Sequence, residues 1–355
     1  MLAPCSIRPD RTMSPTDPLP PPTPTTLATV VSCIAATLKG VYAIDPLPVL
    51  HSVGIDPAVM QDSEKRLPLT VLRPLWLRCV ELTGDEAFGL RAARFYQPAQ
   101  FYGVDLAFCA GATFGQALER HVHNIRVLTT VATPILTTDP DGDFRLAVLQ
   151  NGALRPTDAA LDCFFYGMHI RLFERQTGMP AAQLLRRLEL PRKQPHDPAP
   201  WLAYGVPVTF DRPCALVFKA QAWDLPLPGA NPALLAELEQ PILQQLVHLG
   251  LPLPTRALCA RLTEMLTSDP SLEGLARTLS ISPVLLRTNL TRQGVSFPQL
   301  LDQARAAQAL VLLADPSLSL EQVANRIGLG SASSFTRAFR RWHGETPLRY
   351  RRQHS

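Results

Sequence analysis

SASSFTRAFRRWHGETPLRY, residues 331–350, holds four arginines, four aromatic side chains and a single acid, Glu345. On a helix advancing about 100° per residue, Phe335, Ala338, Phe339 and Trp342 fall on one face at i, i+3, i+4 and i+7. That spacing marks a core stripe. The opposite face carries Ser333, Ser334, Arg337, Arg340 and Arg341, with Ser331 at the start. A guanidinium fork matches guanine edges and phosphate oxygens, and a serine hydroxyl reaches either at short range. Arg349, Arg351 and Arg352 follow, where further phosphate contacts would hold register. The pattern predicts a helix with one side in a core and the other against a polyanion.

The stretch belongs to a repeat. LEGLARTLSIS (272–282) resembles LEQVANRIGLG (320–330). Leu272, Leu275, Ala276, Leu279 and Ile281 recur 48 residues later as Leu320, Val323, Ala324, Ile327 and Leu329. Leu286 and Leu290 recur as Phe335 and Phe339, now 49 residues on. Two copies of one supersecondary unit account for this. Ser319 with Gln322 is a capping-box pattern, Gly328 is a helix stop, and Ser282-Pro283 is an N-cap followed by proline at the first helical position. Each copy therefore reads helix, tight turn, helix, over 272–294 and 320–344. This is the helix-turn-helix arrangement, whose second helix enters the major groove of DNA. In the first copy that helix exposes Val284, Leu285, Thr288 and Thr291, with Arg287 and Arg292 at its flanks. Methyl and hydroxyl groups of this kind suit thymine methyls and base edges. FPQLLDQARAAQALVLLA (297–314) is a continuous helical pattern that would fix the separation of the two units.

Charge agrees. From Thr255 onward the chain has 13 arginines, no lysine and 7 acids, a net +6, whereas the first 254 residues sum to −2. Basic asymmetry points to nucleic acid or an anionic surface. With 355 residues, 46% of them apolar and only 18% charged, the chain has material for two or three cores. No stretch reaches the roughly 18 apolar residues that span a bilayer. The seven cysteines, at 5, 33, 79, 109, 163, 214 and 259, form no Cys-x-x-Cys pair, and most of them read as buried small apolar residues in a reducing compartment.

Residues 1–26, rich in proline, read as a disordered leader. Helical spacing runs from Leu27 to Leu38, with Gly40 and Pro46 as stops; a second helix starts near Thr70 and ends at Gly84; a third starts near Thr113. TPILTTDPDGDFRLAVLQ (133–150) is a hairpin signal. Residues 157–176 return to helical spacing, AQLLRRLEL (182–190) is ambiguous, and VPVTF and CALVFKA look like strands. The expected organisation is an α+β domain over 27–230, a helical linker over 231–254 ending in the proline-rich boundary LPLPT, and an all-α tandem helix-turn-helix domain over 255–355. The apolar spacing from Leu234 to Val247 suits either core packing or a dimer contact.

The C-terminal residues resemble the AraC/XylS-type DNA-binding domain. The marks are LARTLSISPVLLRTNL, Arg305 and Ala309, and EQVANRIGLGSASSFTRAFRRWHGETPLRYR. The chain departs from the usual pattern at Val284, Thr288 and Leu329. VGIDPAVMQDSEKRLPL, LWLRCVELTGDEAFGLRAA, ATFGQALERHVHNIRVL and VPVTFDRP are similar to the effector domain of a branch of that family, the regulators of ornithine and arginine use and of quorum-linked virulence. The resemblance implies a cytoplasmic regulator of transcription, more an activator than a repressor, working as a homodimer on double-stranded promoter DNA with RNA polymerase. It implies an N-terminal domain for effector sensing or dimerisation, with a small molecule as effector; the alternative is a domain that only pairs protomers. No cofactor is implied.

Enzyme signatures are missing. There is no nucleophile elbow, Walker loop or His-Glu-x-x-His. His121 and His123, two apart on a helix, point to different sides and do not form a metal pair. The alkylation-repair regulators share this type of DNA-binding unit but need Pro-Cys-His-Arg, and here Pro213-Cys214 is followed by Ala215.

Overall fold

The computed structural model describes residues 23–97 and 101–354. The expected leader lies mostly outside them. Its last residues do not: Thr25–Leu27 (β1) pairs antiparallel with Arg66–Pro68 (β2), and the Arg66 guanidinium bonds the Thr25 hydroxyl and the Val127 carbonyl. Leu27, expected as the first turn of a helix, is therefore a strand residue. The helix itself, α1, spans Thr29–Tyr42 and runs straight through Gly40. A helix-interior glycine costs only about 1 kcal/mol, and the buried stripe of Val30, Val31, Ile34 and Leu38 outweighs it. Ala43, left-handed at φ 54°, ends α1. Pro46 does not act as a stop but opens α2 (Pro46–Ser52) at its first turn behind the Asp45 cap.

Two helices follow the sequence signals closely. α3 (Leu69–Thr83) buries Leu72, Leu75, Trp76 and Cys79 and ends on left-handed Gly84. After α4 (Phe88–Ala92) and α5 (Val104–Cys109), α6 (Phe114–Asn124) starts at Thr113, whose hydroxyl accepts the Gln116 N–H. The hairpin is β3 (Ala132–Thr138) and β4 (Phe144–Gln150). The helical stretch after Thr157 is less regular than its spacing suggests. It runs α7 (Asp158–Leu161), a π-helical segment Asp162–Met168, then α8 (His169–Thr177). The ambiguous AQLLRRLEL splits into one turn, α9 (Ala181–Leu184), and a strand, β5 (Leu185–Glu189). α10 (Ala199–Leu202), β6 (Val208–Thr209) and β7 (Ala215–Phe218) complete the domain. The sheet order is β3-β4-β7-β5-β6, antiparallel except for the β5–β6 pair. Phe114, Phe173 and the stacked pair Phe144–Phe218 pack α6 and α8 onto it.

α11 (Pro232–His248) leads to the C-terminal half. Of its two expected roles the structure displays the packing one: Leu235, Ile242, Leu243, Leu246 and Val247 are buried, and Leu234 is exposed. They join a core that runs from α1 and α3 into the first helical unit, through Leu258, Leu275, Leu286, Leu290 and Leu300. The remaining helices are α12 (Thr255–Glu264), α13 (Leu272–Thr278), α14 (Pro283–Arg292), α15 (Phe297–Leu313), α16 (Leu320–Arg326), α17 (Ala332–His343) and α18 (Pro347–His354). A separate core of Leu266, Ala309, Leu313, Val323, Ile327, Phe335 and Phe339 holds the second unit. α15 serves both, giving Leu300 and Ala304 to one core and Ala309 and Leu313 to the other.

Candidate nucleic-acid interface and ligand cavity

The two helix-turn-helix units are built alike. Ser271 and Ser319 cap their first helices, and Ser319 with Gln322 forms a full capping box. Ser282 and Ser331 cap the second helices. The turns differ at one equivalent position. Gly328 sits at φ 69°, while its counterpart 48 residues earlier is Ser280 at φ 55°.

On α17, Phe335, Ala338 and Phe339 are buried and Trp342 is half-buried, while Ser333, Arg337 and Arg340 are exposed. By helical spacing these three lie within a stripe of about 60°. Arg337 and Arg340 make no ion pair among the described residues. Three other candidates are less available. The Ser331 hydroxyl is occupied in the cap, accepting the Ser334 N–H and touching the Ser333 and Ser334 hydroxyls. Ser334 is half-buried. Arg341 is drawn toward α15 by the Asp302 carboxylate at 2.8 Å, although its side chain stays 66% exposed. On α14, Val284 is 71% exposed, and Arg287, Thr288 and Thr291 are exposed with it. The Thr288 hydroxyl donates back to the Val284 carbonyl at 2.9 Å, which leaves its oxygen free to accept.

Two residues have positioning roles that the sequence does not reveal. Arg305, on α15, donates to the carbonyls of Ile327 and Gly328 at 3.1 and 3.0 Å, closing the end of α16 and clamping the turn of the second unit. Asn289, buried on α14, accepts from the Leu253 N–H and donates to the Leu251 carbonyl, seating the linker on the back of the first reading helix. The arginine repeats along the chain, but nothing in composition separates one that holds a carbonyl from one that faces solvent. Arg305→Ala is expected to cost about 1–2 kcal/mol of stability in denaturant unfolding, since two charge-assisted bonds are lost from a half-exposed site.

A second feature lies in the N-terminal domain. Among α3, α6, the β3–β4 hairpin and the π-helical segment is a cavity of about 120 Å³, walled almost wholly by hydrocarbon such as Leu72, Trp76, Val131, Leu146, Phe164 and Met168. π-helical turns are costly and concentrate at functional sites. Here the segment delivers three of the wall's side chains, Phe164, Phe165 and Met168, and then His169.

Asp105, His121 and His169 form the cavity's ionisable corner. His169 Nδ1 is 2.8 Å from the Phe164 carbonyl, an acceptor only, so Nδ1 carries the proton. Nε2 of neutral His169 is then an acceptor, and His121 Nε2 donates to it at 3.0 Å. Burial holds His169 down to about 4 and, with His169 beside it, holds His121 well below the ordinary imidazole range. Both rings are neutral at pH 7. His121 Nδ1 is thereby left as a buried acceptor with no hydrogen-bond donor among the described residues. Its nearest polar neighbour is Asp105 Oδ1 at 3.9 Å, and burial pushes that carboxyl up to about 7. His123, by contrast, is exposed.

The raised carboxyl makes a pH prediction. Its contribution to stability is present below about pH 4, the range of the unfolded chain, and is lost as pH rises through about 7. Asp105→Asn should unfold about 3 °C above wild type at pH 8, with the difference closing as pH falls toward 4. The histidines act in the opposite direction but are common to both proteins, so thermal scans of the pair isolate Asp105.

α6 joins this cavity to the C-terminal half. His121 and Val122 face the cavity. On the same helix Arg120 pairs with Glu239 of α11 at 3.2 Å, and Glu119 pairs with Arg256 of α12 at 2.5 Å.

Tandem helix-turn-helix units with a basic second helix, on an α+β domain with an apolar cavity, define a DNA-binding regulator. Residues 44–227 match the family described as the arabinose-binding domain of AraC transcription regulator, N-terminal, and residues 275–353 match a helix-turn-helix domain family. The chain belongs to the AraC family of transcription regulators. It is similar to the ornithine utilization regulator of Pseudomonas aeruginosa, 26% identical across 87% of this chain and 91% of that one. It is also similar to the transcriptional regulator VirS of Mycobacterium tuberculosis, 27% identical across 86% and 91%. The crystal structure of the transcriptional regulator CdpR from Pseudomonas aeruginosa shares the fold, with a TM-score of 0.51 at 23% identity over 86% of this chain and 96% of that one. These families and relatives are regulators, not enzymes. No described helix is long and apolar enough to cross a membrane.

Proposed function

We propose that the protein is a cytoplasmic activator of transcription that reads promoter DNA through α14 and α17 and is controlled by a small molecule held in the N-terminal cavity. The observation that carries the DNA reading is the exposed stripe of Ser333, Arg337 and Arg340 on α17. In this reading Arg337 and Arg340 grip guanine edges or phosphates, with Ser333 beside them and Ser331, Ser334 and Arg341 at the margin. Val284, Arg287, Thr288 and Thr291 face a second major-groove segment, where the exposed valine meets thymine methyls. Two copies pair on the operator, and the DNA-bound form engages RNA polymerase; activation follows the resemblance of the C-terminal motif.

The test is selection of genomic fragments by the purified full chain at about 150 mM salt, wild type beside Arg337→Ala. A single shared motif with half-elements about one helical turn apart is expected. Arg337→Ala should weaken binding by about 1–3 kcal/mol and relax the preference at one position. Equal loss on all sequences with a shallower salt slope would make Arg337 a phosphate contact instead. Recovery of unrelated fragments by both proteins would refute sequence reading by this face. Sedimentation with and without operator tests the pairing.

A further inference from the structure

We infer that the solvent face of the five-stranded sheet carries a small-molecule site of its own, a basic recess that takes a dianionic oxyanion, a phosphate monoester or a dicarboxylate. It lies behind the apolar cavity: Leu146 and Val148 of β4 face the cavity, while Arg145 of the same strand faces the recess. The site does not depend on what the cavity holds.

Pairing register brings the residues together. Arg145 of β4 and Arg187 of β5 both stand opposite Val217 of the intervening β7. Glu189, two residues after Arg187, stands opposite Ala215 of β7 and Thr209 of β6. Paired residues, and residues two apart on a strand, share a face of the sheet. All of these therefore point away from Phe144, Leu146, Leu188, Leu216 and Phe218, which fill the core. Val217 and Ala215 are short and fully covered, so the long side chains fold over them. Together with Arg212, from the turn after β6, they line a recess of about 430 Å³. Small-molecule sites usually span ~300–1,000 Å³.

Charge decides what fits. Glu189 is already held at both oxygens: Arg145 Nη2 donates to Oε2 at 2.5 Å and Arg187 Nε donates to Oε1 at 2.7 Å. Three guanidiniums thus meet one carboxylate, which leaves two positive charges in excess. They stand in a part of the chain whose overall balance is −2. Asp143, at the hairpin turn before β4, is taken by Arg186 at 2.9 and 3.2 Å. The donors are open to an occupant. Both Nη groups of Arg187 and the whole guanidinium of Arg212 have no hydrogen-bond partner among the described residues. The Arg187 side chain is 42% exposed, and Arg212 is exposed too. A cation is repelled here, and a neutral molecule leaves the excess unmatched. A guanidinium fork fits the paired oxygens of a carboxylate or phosphate, and two excess charges ask for two negative ones. A DNA backbone would meet only Arg187 and Arg212 at the rim, because the side chains of Arg145 and Glu189 are 29% and 10% exposed. A compact ion enters the recess and feels Glu189 as a repelling neighbour.

The experiment titrates the full chain with inorganic phosphate, succinate and acetate in a calorimeter, at about pH 8, where phosphate is doubly charged, and at a fixed ionic strength of about 150 mM. Phosphate, succinate or both should bind with a Kd of about 1 mM, and acetate about tenfold more weakly. Binding of phosphate without succinate assigns a phosphate ester, and the reverse assigns a dicarboxylate; either result sustains the site. Arg212→Ala, at an exposed position, should weaken the dianion about fivefold and leave the thermal midpoint of the free protein unchanged. Glu189→Gln keeps the side-chain shape and removes the competing charge. It should tighten the dianion about fivefold, a gain that misfolding cannot produce. Equal binding of acetate and the dianions, no binding of either dianion, or binding indifferent to both substitutions would overturn the inference. So would weaker operator binding in Arg212→Ala with dianion binding unchanged, which would make this face a DNA contact.

Discussion

Phe339→Ala is expected to lose about 3–5 kcal/mol of stability, the usual cost of deleting a fully enclosed ring. Phe339 is completely buried, 5.6 Å from the Phe335 ring, 4.5 Å from His343 and 5.7 Å from Tyr350. These contacts tie α17 to α18, and the second unit has only a small core of its own. The cavity left behind cannot collapse without moving α17, which carries Arg337 and Arg340. The loss should appear in denaturant unfolding as an early transition confined to the second helix-turn-helix unit, because the larger core shared by α1, α3, α11 and the first unit is untouched. Operator binding should fall with it. A single transition at the wild-type midpoint would contradict this division of the cores.

Gly328→Ala is expected to lose about 2–5 kcal/mol, for a reason unrelated to burial. At φ 69° the residue is left-handed, which costs any side chain about 1–2 kcal/mol. A Cβ there would also collide with the backbone carbonyl oxygen of Leu266, which cannot swing away as a flexible side chain would. Forced crowding of a packed site costs a further ~1–3 kcal/mol. Gly344 separates the two causes: it has φ 78° but open space around it, so Gly344→Ala should cost only the conformational part. Chemical unfolding of the three proteins measures both. Equal losses at 328 and 344 would remove the role assigned to Leu266. Ser280 shows that the left-handed turn alone is tolerated by a non-glycine residue.

The tandem units were legible because each of their determinants is local. Ser282, Ser319 and Ser331 announce caps, Gly328 announces a stop, and the 48-residue repeat states the same answer twice. Thr113, Gly84 and the turn around Asp141-Gly142 were readable for the same reason. Leu27 reads as helix because a single leucine beside a helical stripe carries no sign of its partner Arg66, 39 residues away in β2. The π-helical segment was invisible because Asp162–Met168 keeps helical composition; the extra residue per turn is imposed by what packs around it. The cavity corner was hidden more deeply. His121 gives no hint of Asp105 or His169, since their meeting depends on three different helices. Arg305 marks the family resemblance in the sequence, but its clamp on the Gly328 turn is a matter of distance alone.

α6 has a bearing on how the protein would behave in a cell. One short helix touches the cavity through His121 and the DNA-binding half through Glu119 and Arg256. Free energies around a binding cycle must close, so influence along such a helix runs both ways by the same factor. If the occupant strengthens the grip on a promoter tenfold, the promoter strengthens the grip on the occupant tenfold. Protein already parked on its operator would then fill at concentrations that leave the unbound pool empty, and the threshold for response would be set by the number of operators as much as by the supply of ligand.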